Sequence, residues 1–106
     1  MPAYSVYVIE LSQGVAQEVK FRRANPQYRS GAPCVYVGCT AKAPDLRYEQ
    51  HMRGYRSARF VRKYGERLLP HLYEKYNPIP NREDAEELER YLAERLRSQG
   101  FGVWTN

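Results

Sequence analysis

A carboxylate on the apolar side of a helix needs a reason, and Glu89 holds that position. In the stretch Arg82–Ser98, Ala85, Leu88, Leu92 and Leu96 fall on one stripe at about 100° per residue. Glu89 lies on the same side, four after Ala85 and three before Leu92, whereas Glu86, Glu87 and Glu94 point elsewhere. A carboxylate bordering a packed surface is costly unless it is paired or bound to a cation. The wheel leaves both open: a salt bridge to an arginine, or a metal ligand. Arg47 and His51 are four apart and share a helical face. An arginine grips a phosphate through parallel bonds, and a histidine beside it exchanges a proton near neutral pH. The alternative is a solvated face with an ordinary exposed histidine.

Between residues 40 and 65 the charge is one-sided. Lys42, Arg47, Arg53, Arg56, Arg59, Arg62 and Lys63 stand against Asp45 and Glu49, a net +5 that equals the charge of the whole 106-residue chain. Tyr48, Tyr55, Phe60 and Tyr64 interleave with them. Cations alternating with aromatics suit phosphate contacts and base stacking; the competing reading is a solvated amphipathic helix pair. Ten tyrosines against three phenylalanines supply rings with hydroxyls, most of them fit for a small core with wet edges.

These residues require a scaffold. Tyr4–Leu11 and Cys34–Thr40 read as strands pairing antiparallel, the second with an inner Gly38 that marks a close approach. Residues 12–32 are polar, with Val15–Arg22 as a hairpin arm. Pro44–Arg53, ended by Gly54, and Ala58–Tyr64, capped by Ser57, read as helices. Leu68–Tyr76 reads as a strand with Pro70 at an edge or bulge, and Asn77–Pro80 as a turn. Asn81 caps the longest helix, Arg82–Ser98, with acids at its start and Arg95 and Arg97 at its end. Phe101–Thr105 is a candidate final strand. The expected fold is α+β: a small, mainly antiparallel three-stranded sheet flanked by helices, order β-β-α-α-β-α, in one domain over residues 1–106.

With 42% hydrophobic and 27% charged residues the chain should fold. No apolar run approaches the length of a membrane helix, and the start does not read as a signal peptide. Cys34 and Cys39 are too few for a disulfide scaffold and project to opposite faces of one strand, which predicts reduced thiols in the cytoplasm. Two histidines and two cysteines lack zinc-ligand spacing.

Together these elements resemble the GIY-YIG nuclease superfamily. Ser5-Val6-Tyr7 is similar to its first element, with the tyrosine kept, and Tyr36-Val37-Gly38 to its second. Arg47 follows Tyr36 by eleven residues and His51 comes four later, as in the family; Glu89, in Asp84-Ala85-Glu86-Glu87-Leu88-Glu89, takes the position of its metal ligand. The family's asparagine about twelve residues further on has no counterpart at Phe101-Gly102, and residues 12–32 are longer than the family's usual connection. The resemblance implies an endonuclease dependent on Mg2+ (or Mn2+) that hydrolyses phosphodiesters, most simply in DNA. Its catalytic set would be Tyr7, Tyr36, Arg47, His51 and Glu89, with the metal on Glu89 and one tyrosine, Tyr7 or Tyr36, positioning or deprotonating the attacking water. Arg53, Arg56, Arg59, Arg62 and Lys63 would bind nucleic acid, and a homodimer or partner would choose the target. The alternative is a nucleic-acid-binding module of the same fold with weak or no catalysis.

Overall fold

Two seven-residue strands, β1 (Ser5–Leu11) and β2 (Cys34–Thr40), form the antiparallel centre of a computed structural model that describes residues 3–105. Ser5 lies opposite Thr40 and Leu11 opposite Cys34, so Tyr7 faces Gly38 across the ladder. Helix α1 (Val19–Ala24) follows a 3-10 turn at Gln13–Gln17 and precedes β2. After β2 come α2 (Pro44–Arg53), α3 (Arg59–Tyr64), β3 (Gly65–Leu68), α4 (Arg82–Ser98) and β4 (Gly102–Trp104). The sheet has four strands in the order β3-β1-β2-β4, with β4 parallel to β2.

The α+β class and the boundaries of β2, α2 and α4 agree with expectation. Local signals set those boundaries. Pro44 begins α2, Gly54 ends it at φ 85°, and the Asn81 side chain accepts from the Asp84 amide to cap α4, a contact worth about 1 kcal/mol. The expected three-stranded sheet is instead four-stranded and mixed, because β4 docks beside β2. The order β-β-α-α-β-α lacks α1 and β4. Val15–Arg22 forms a 3-10 turn and the start of α1 rather than a hairpin arm. The strand expected over Leu68–Tyr76 ends at Leu68; Pro70 then starts the first of two short 3-10 turns, Pro70–Leu72 and Glu74–Tyr76. Ala58, not Ser57, precedes α3, and no side chain caps it.

Both central strands are buried on both faces, as helices above and below a sheet require. By strand alternation Tyr7, Tyr36 and Gly38 share one face and Cys39 lies on the other. Helix α4 buries Ala85, Leu92, Ala93 and Leu96 against β2 and β4. Phe21 of α1, Phe60 of α3 and Trp104 cluster with centroid separations of 4.8–6.5 Å. Two asparagine side chains stand in for missing strand neighbours. Asn77 accepts from the Val6 amide and donates to its carbonyl, both at 2.9 Å; the buried Asn25 does the same for Val103 on β4, at 2.8 and 3.0 Å. Cys34 and Cys39 are free thiols. Among the described residues, no helix is long and apolar enough to cross a membrane.

Candidate functional site

Tyr7, Tyr36 and His51 meet under α2. The Tyr7 hydroxyl lies 2.8 Å from His51 Nε2, and the Tyr36 ring meets the imidazole edge-on at 5.4 Å between centroids. Gly38 makes this possible. A Cβ there would come 2.7 Å from Tyr7 Oη and 3.0 Å from a Tyr36 ring carbon, so the phenol of β1 lies across a position of β2 that carries no side chain. The close approach expected at Gly38 is a tyrosine hydroxyl.

The hydrogen bonds fix the imidazole tautomer. His51 Nδ1 accepts from the Ala58 amide at 3.2 Å. In the neutral ring the proton is therefore on Nε2, which donates to Tyr7 Oη. A second proton would have to be placed on Nδ1, against a backbone N–H. Burial, and then the Arg47 charge, push the His51 pKa down to about 4, and the residue is 0% exposed. In this arrangement His51 is a neutral donor whose basic nitrogen is occupied. Burial, reinforced by Tyr36, raises the Tyr7 pKa well above the usual phenol range. Burial also raises that of Tyr36, to about 12, with Glu89 adding to the rise and Tyr7 and Arg47 opposing it. Both phenols are thus held in the protonated form at neutral pH.

Arg47 approaches this cluster from α2, half-buried. Its Nη1 donates to the Tyr55 carbonyl at 3.2 Å and to Gln50 Oε1 at 3.3 Å, and its Nη2 donates to the Arg56 carbonyl at 2.8 Å. The guanidinium thus clasps the loop that joins α2 to α3.

Glu89 is positioned by the other face of the sheet. It lies beside Cys39 in a cleft of about 660 Å³ that Arg82, Glu86, Arg90, Glu94 and Arg97 also line. Burial raises its pKa, the Cys39 thiol opposes the rise, and the Glu86 charge adds to it. Glu86 and Glu94 were expected to point elsewhere; they share the cleft because positions three and five from Glu89 flank one broad groove rather than one narrow stripe. The Cys39 thiol is itself pushed up to about 12 by burial and by Glu89. A half-buried carboxylate in an open, polar cleft suits a hydrated magnesium ion, which takes oxygen ligands and keeps several waters. Among the described residues, no group of three or more His, Cys, Asp and Glu side chains is gathered for a metal.

The expected site residues thus fall into three places. Tyr7, Tyr36, His51 and Arg47 converge on one face, and Glu89 occupies the other while still acting electrostatically on Tyr36. The basic residues lie along the α2–α3 surface. Arg53 pairs with Glu49 at 3.3 Å and Lys63 with Glu18 at 3.2 Å, while Arg59, Arg62 and Lys63 line a hollow of about 630 Å³ with Gly54 and Ser57. Ala58 and Cys39 were not singled out as partners of the site. Ala58 acts through its backbone, which has no sequence signal, and Cys39 could have been found from its odd position opposite Tyr36 on β2.

Scans of the chain against family models, curated proteins and solved structures give no match.

Proposed function

We propose that the protein is a divalent-metal-dependent phosphodiesterase acting on nucleic acid, in the simplest case a DNA endonuclease resembling GIY-YIG nucleases. The observation that carries this reading is the Tyr7–His51–Tyr36 cluster, built over Gly38 and coupled electrostatically to a half-buried Glu89. A core needs none of those polar groups for packing. Glu89 would hold the cation, with Glu86 beside it in the same cleft. A bound divalent cation would supply Lewis-acid stabilisation of the charge on the leaving oxygen. Neutral His51 fixes the Tyr7 hydroxyl by donating to it, and Tyr7 in turn orients Tyr36. The protonated phenols then serve as hydrogen-bond donors that position the water or the scissile phosphate. Arg47 keeps a positive field on both phenols while anchoring the basic loop. Arg53, Arg56, Arg59, Arg62 and Lys63 would follow the phosphate backbone.

A second reading, a nucleic-acid-binding module of the same fold without turnover, is favoured by one observation. Tyr7, Tyr36 and His51 are each at most 1% exposed, and Arg47 already donates to three acceptors.

The deciding assay is cleavage of single-stranded, duplex, flap and branched DNA with Mg2+, Mn2+ or EDTA. Under the nuclease reading the wild type cuts only with metal. Glu89→Gln abolishes cutting with an unchanged circular dichroism spectrum, and Glu87→Gln, outside the cleft, leaves it intact. Retained cutting by Glu89→Gln would overturn the metal assignment, and binding without cutting under every condition would establish the module.

A further inference from the structure

The loop between α2 and α3 displays an aromatic ring where a small protein would ordinarily hide one. Tyr55 is 55% exposed, directly between Gly54 and Arg56. Its backbone is nonetheless held firmly. The Tyr55 amide donates to the Gln50 carbonyl at 2.9 Å, and the Tyr55 and Arg56 carbonyls are clasped by Arg47. Arg56 sits in the left-handed region at φ 45°, a conformation that costs a non-glycine residue energy and persists where its surroundings impose it. Its guanidinium lies over one face of the Tyr55 ring, 5.7 Å from the centroid.

Gly54, which precedes Tyr55 in the chain, lines a hollow together with Ser57, Arg59, Arg62 and Lys63, with no carboxylate in its wall. Among the described residues, Arg59 and Arg62 have no carboxylate within ion-pair distance. Gly54 is needed for its backbone, whose φ is 85°, and the Arg62 guanidinium packs over it.

We propose that this loop receives an unpaired nucleic-acid strand, with Tyr55 as the stacking platform for a splayed base and the hollow as the seat of a backbone phosphate. The inference rests on the nucleic-acid reading above and narrows its substrate class. A base inside a duplex is already stacked on both faces and offers nothing to an exposed ring. An unpaired base offers its π-face, and aromatic stacking of this kind is tolerant of sequence. An acidic peptide would use the arginines but not the ring. The rigid backbone lowers the ordering cost of binding, which a mobile loop would have to meet.

The test is fluorescence anisotropy in EDTA, so that cleavage plays no part, with a labelled 12-nucleotide single strand, as DNA and as RNA, and a blunt duplex of equal length. The single strands should bind more tightly than the duplex. Tyr55→Ala should weaken single-strand binding by about 5- to 150-fold and leave duplex binding unchanged, while Tyr55→Phe restores it. Arg59→Gln and Arg62→Gln should weaken both and each lower the salt slope by about one. Tyr55 is exposed, so its variants should fold, and circular dichroism checks this. Equal binding of strand and duplex with no effect of Tyr55→Ala would overturn the proposal. So would displacement of the strand by polyglutamate at equal charge, which would mark an acidic-peptide surface, or by inorganic phosphate at equal phosphate concentration, which would mark a free-anion site. If the binding pattern holds and no metal gives cleavage, the nuclease reading fails and this one stands.

Discussion

Acidification should destabilise the protein through His51, and the size of the effect follows from the site. In the unfolded chain the imidazole titrates near its ordinary value of about 6.5. In the fold, burial and Arg47 hold it at about 4. Between these values the unfolded state binds the proton and the native state does not, so stability rises with pH across this window. The contribution is complete above pH 6.5 and is lost as pH falls toward 4, by which point the loss amounts to about 3 kcal/mol. The control is His51→Gln, whose amide can still donate to Tyr7 but does not titrate. It leaves the Ala58 amide without its acceptor, a loss of about 1–3 kcal/mol at pH 7. Urea unfolding at pH 7, 6, 5 and 4 should therefore show wild type more stable at pH 7 and the two curves converging or crossing by pH 4. Other carboxylates titrate equally in both proteins and cancel in the difference. Parallel curves would refute the argument, as would an imidazole nitrogen resonance that titrates near 6.5 in the native protein.

Three further outcomes follow from single contacts. Gly38→Ala places a methyl 2.7 Å from Tyr7 Oη; it should cost about 1–3 kcal/mol and shift the His51 nitrogen resonances, and unchanged spectra would show that the tyrosine does not depend on this space. Asn25→Ala removes the acceptor of the buried Val103 amide and one of the two donors to its carbonyl, Arg97 being the other, and should lower unfolding free energy by about 1–3 kcal/mol; a loss under about 0.5 kcal/mol, the range of an ordinary surface substitution, would refute its edge-capping role. Arg47→Lys keeps the charge but not the fork that reaches the Tyr55 and Arg56 carbonyls. It should lower hydrogen-exchange protection of the Tyr55 and Ala58 amides by about 1.5–3 kcal/mol, and unchanged protection would place the stiffness of the loop elsewhere.

What was legible in the sequence was what local chemistry decides. Pro44 and Gly54 bracket α2, and Asn81 with the acids behind it opens α4. The strand pair β1–β2 announced itself through β-branched and aromatic runs, and Gly38 through its placement within one of them. Elements that depend on distant partners were harder to read. β4 lies within the candidate strand Phe101–Thr105, but its parallel place beside β2 left no sequence signal. α1 is six residues, too short for periodicity to identify. The run Leu68–Tyr76 has strand-like composition, but its backbone turns through Pro70 and the sheet edge is completed instead by the Asn77 side chain. In the site, the pairing of Arg47 with His51 on one helical face was readable. That this face is turned inward was not, because inwardness depends on where β1 places Tyr7.

The consequence concerns how Arg47 and His51 work. Arg47 was expected to hold a reacting phosphate and His51 to exchange a proton, in which case their loss should slow turnover more than affinity. Both also hold the loop that displays Tyr55 and Arg56: Arg47 through two carbonyls, His51 through the Ala58 amide. The buried cluster and the basic surface are therefore two sides of one short connection. A change that loosens the inner side frees the outer side, so strand affinity should fall along with any turnover in both variants. Tyr55→Ala should lower single-strand affinity while leaving the Tyr7–His51 contact and its nitrogen resonances unchanged. That asymmetry distinguishes a loop braced from inside from a catalytic pair that merely sits beneath a binding surface.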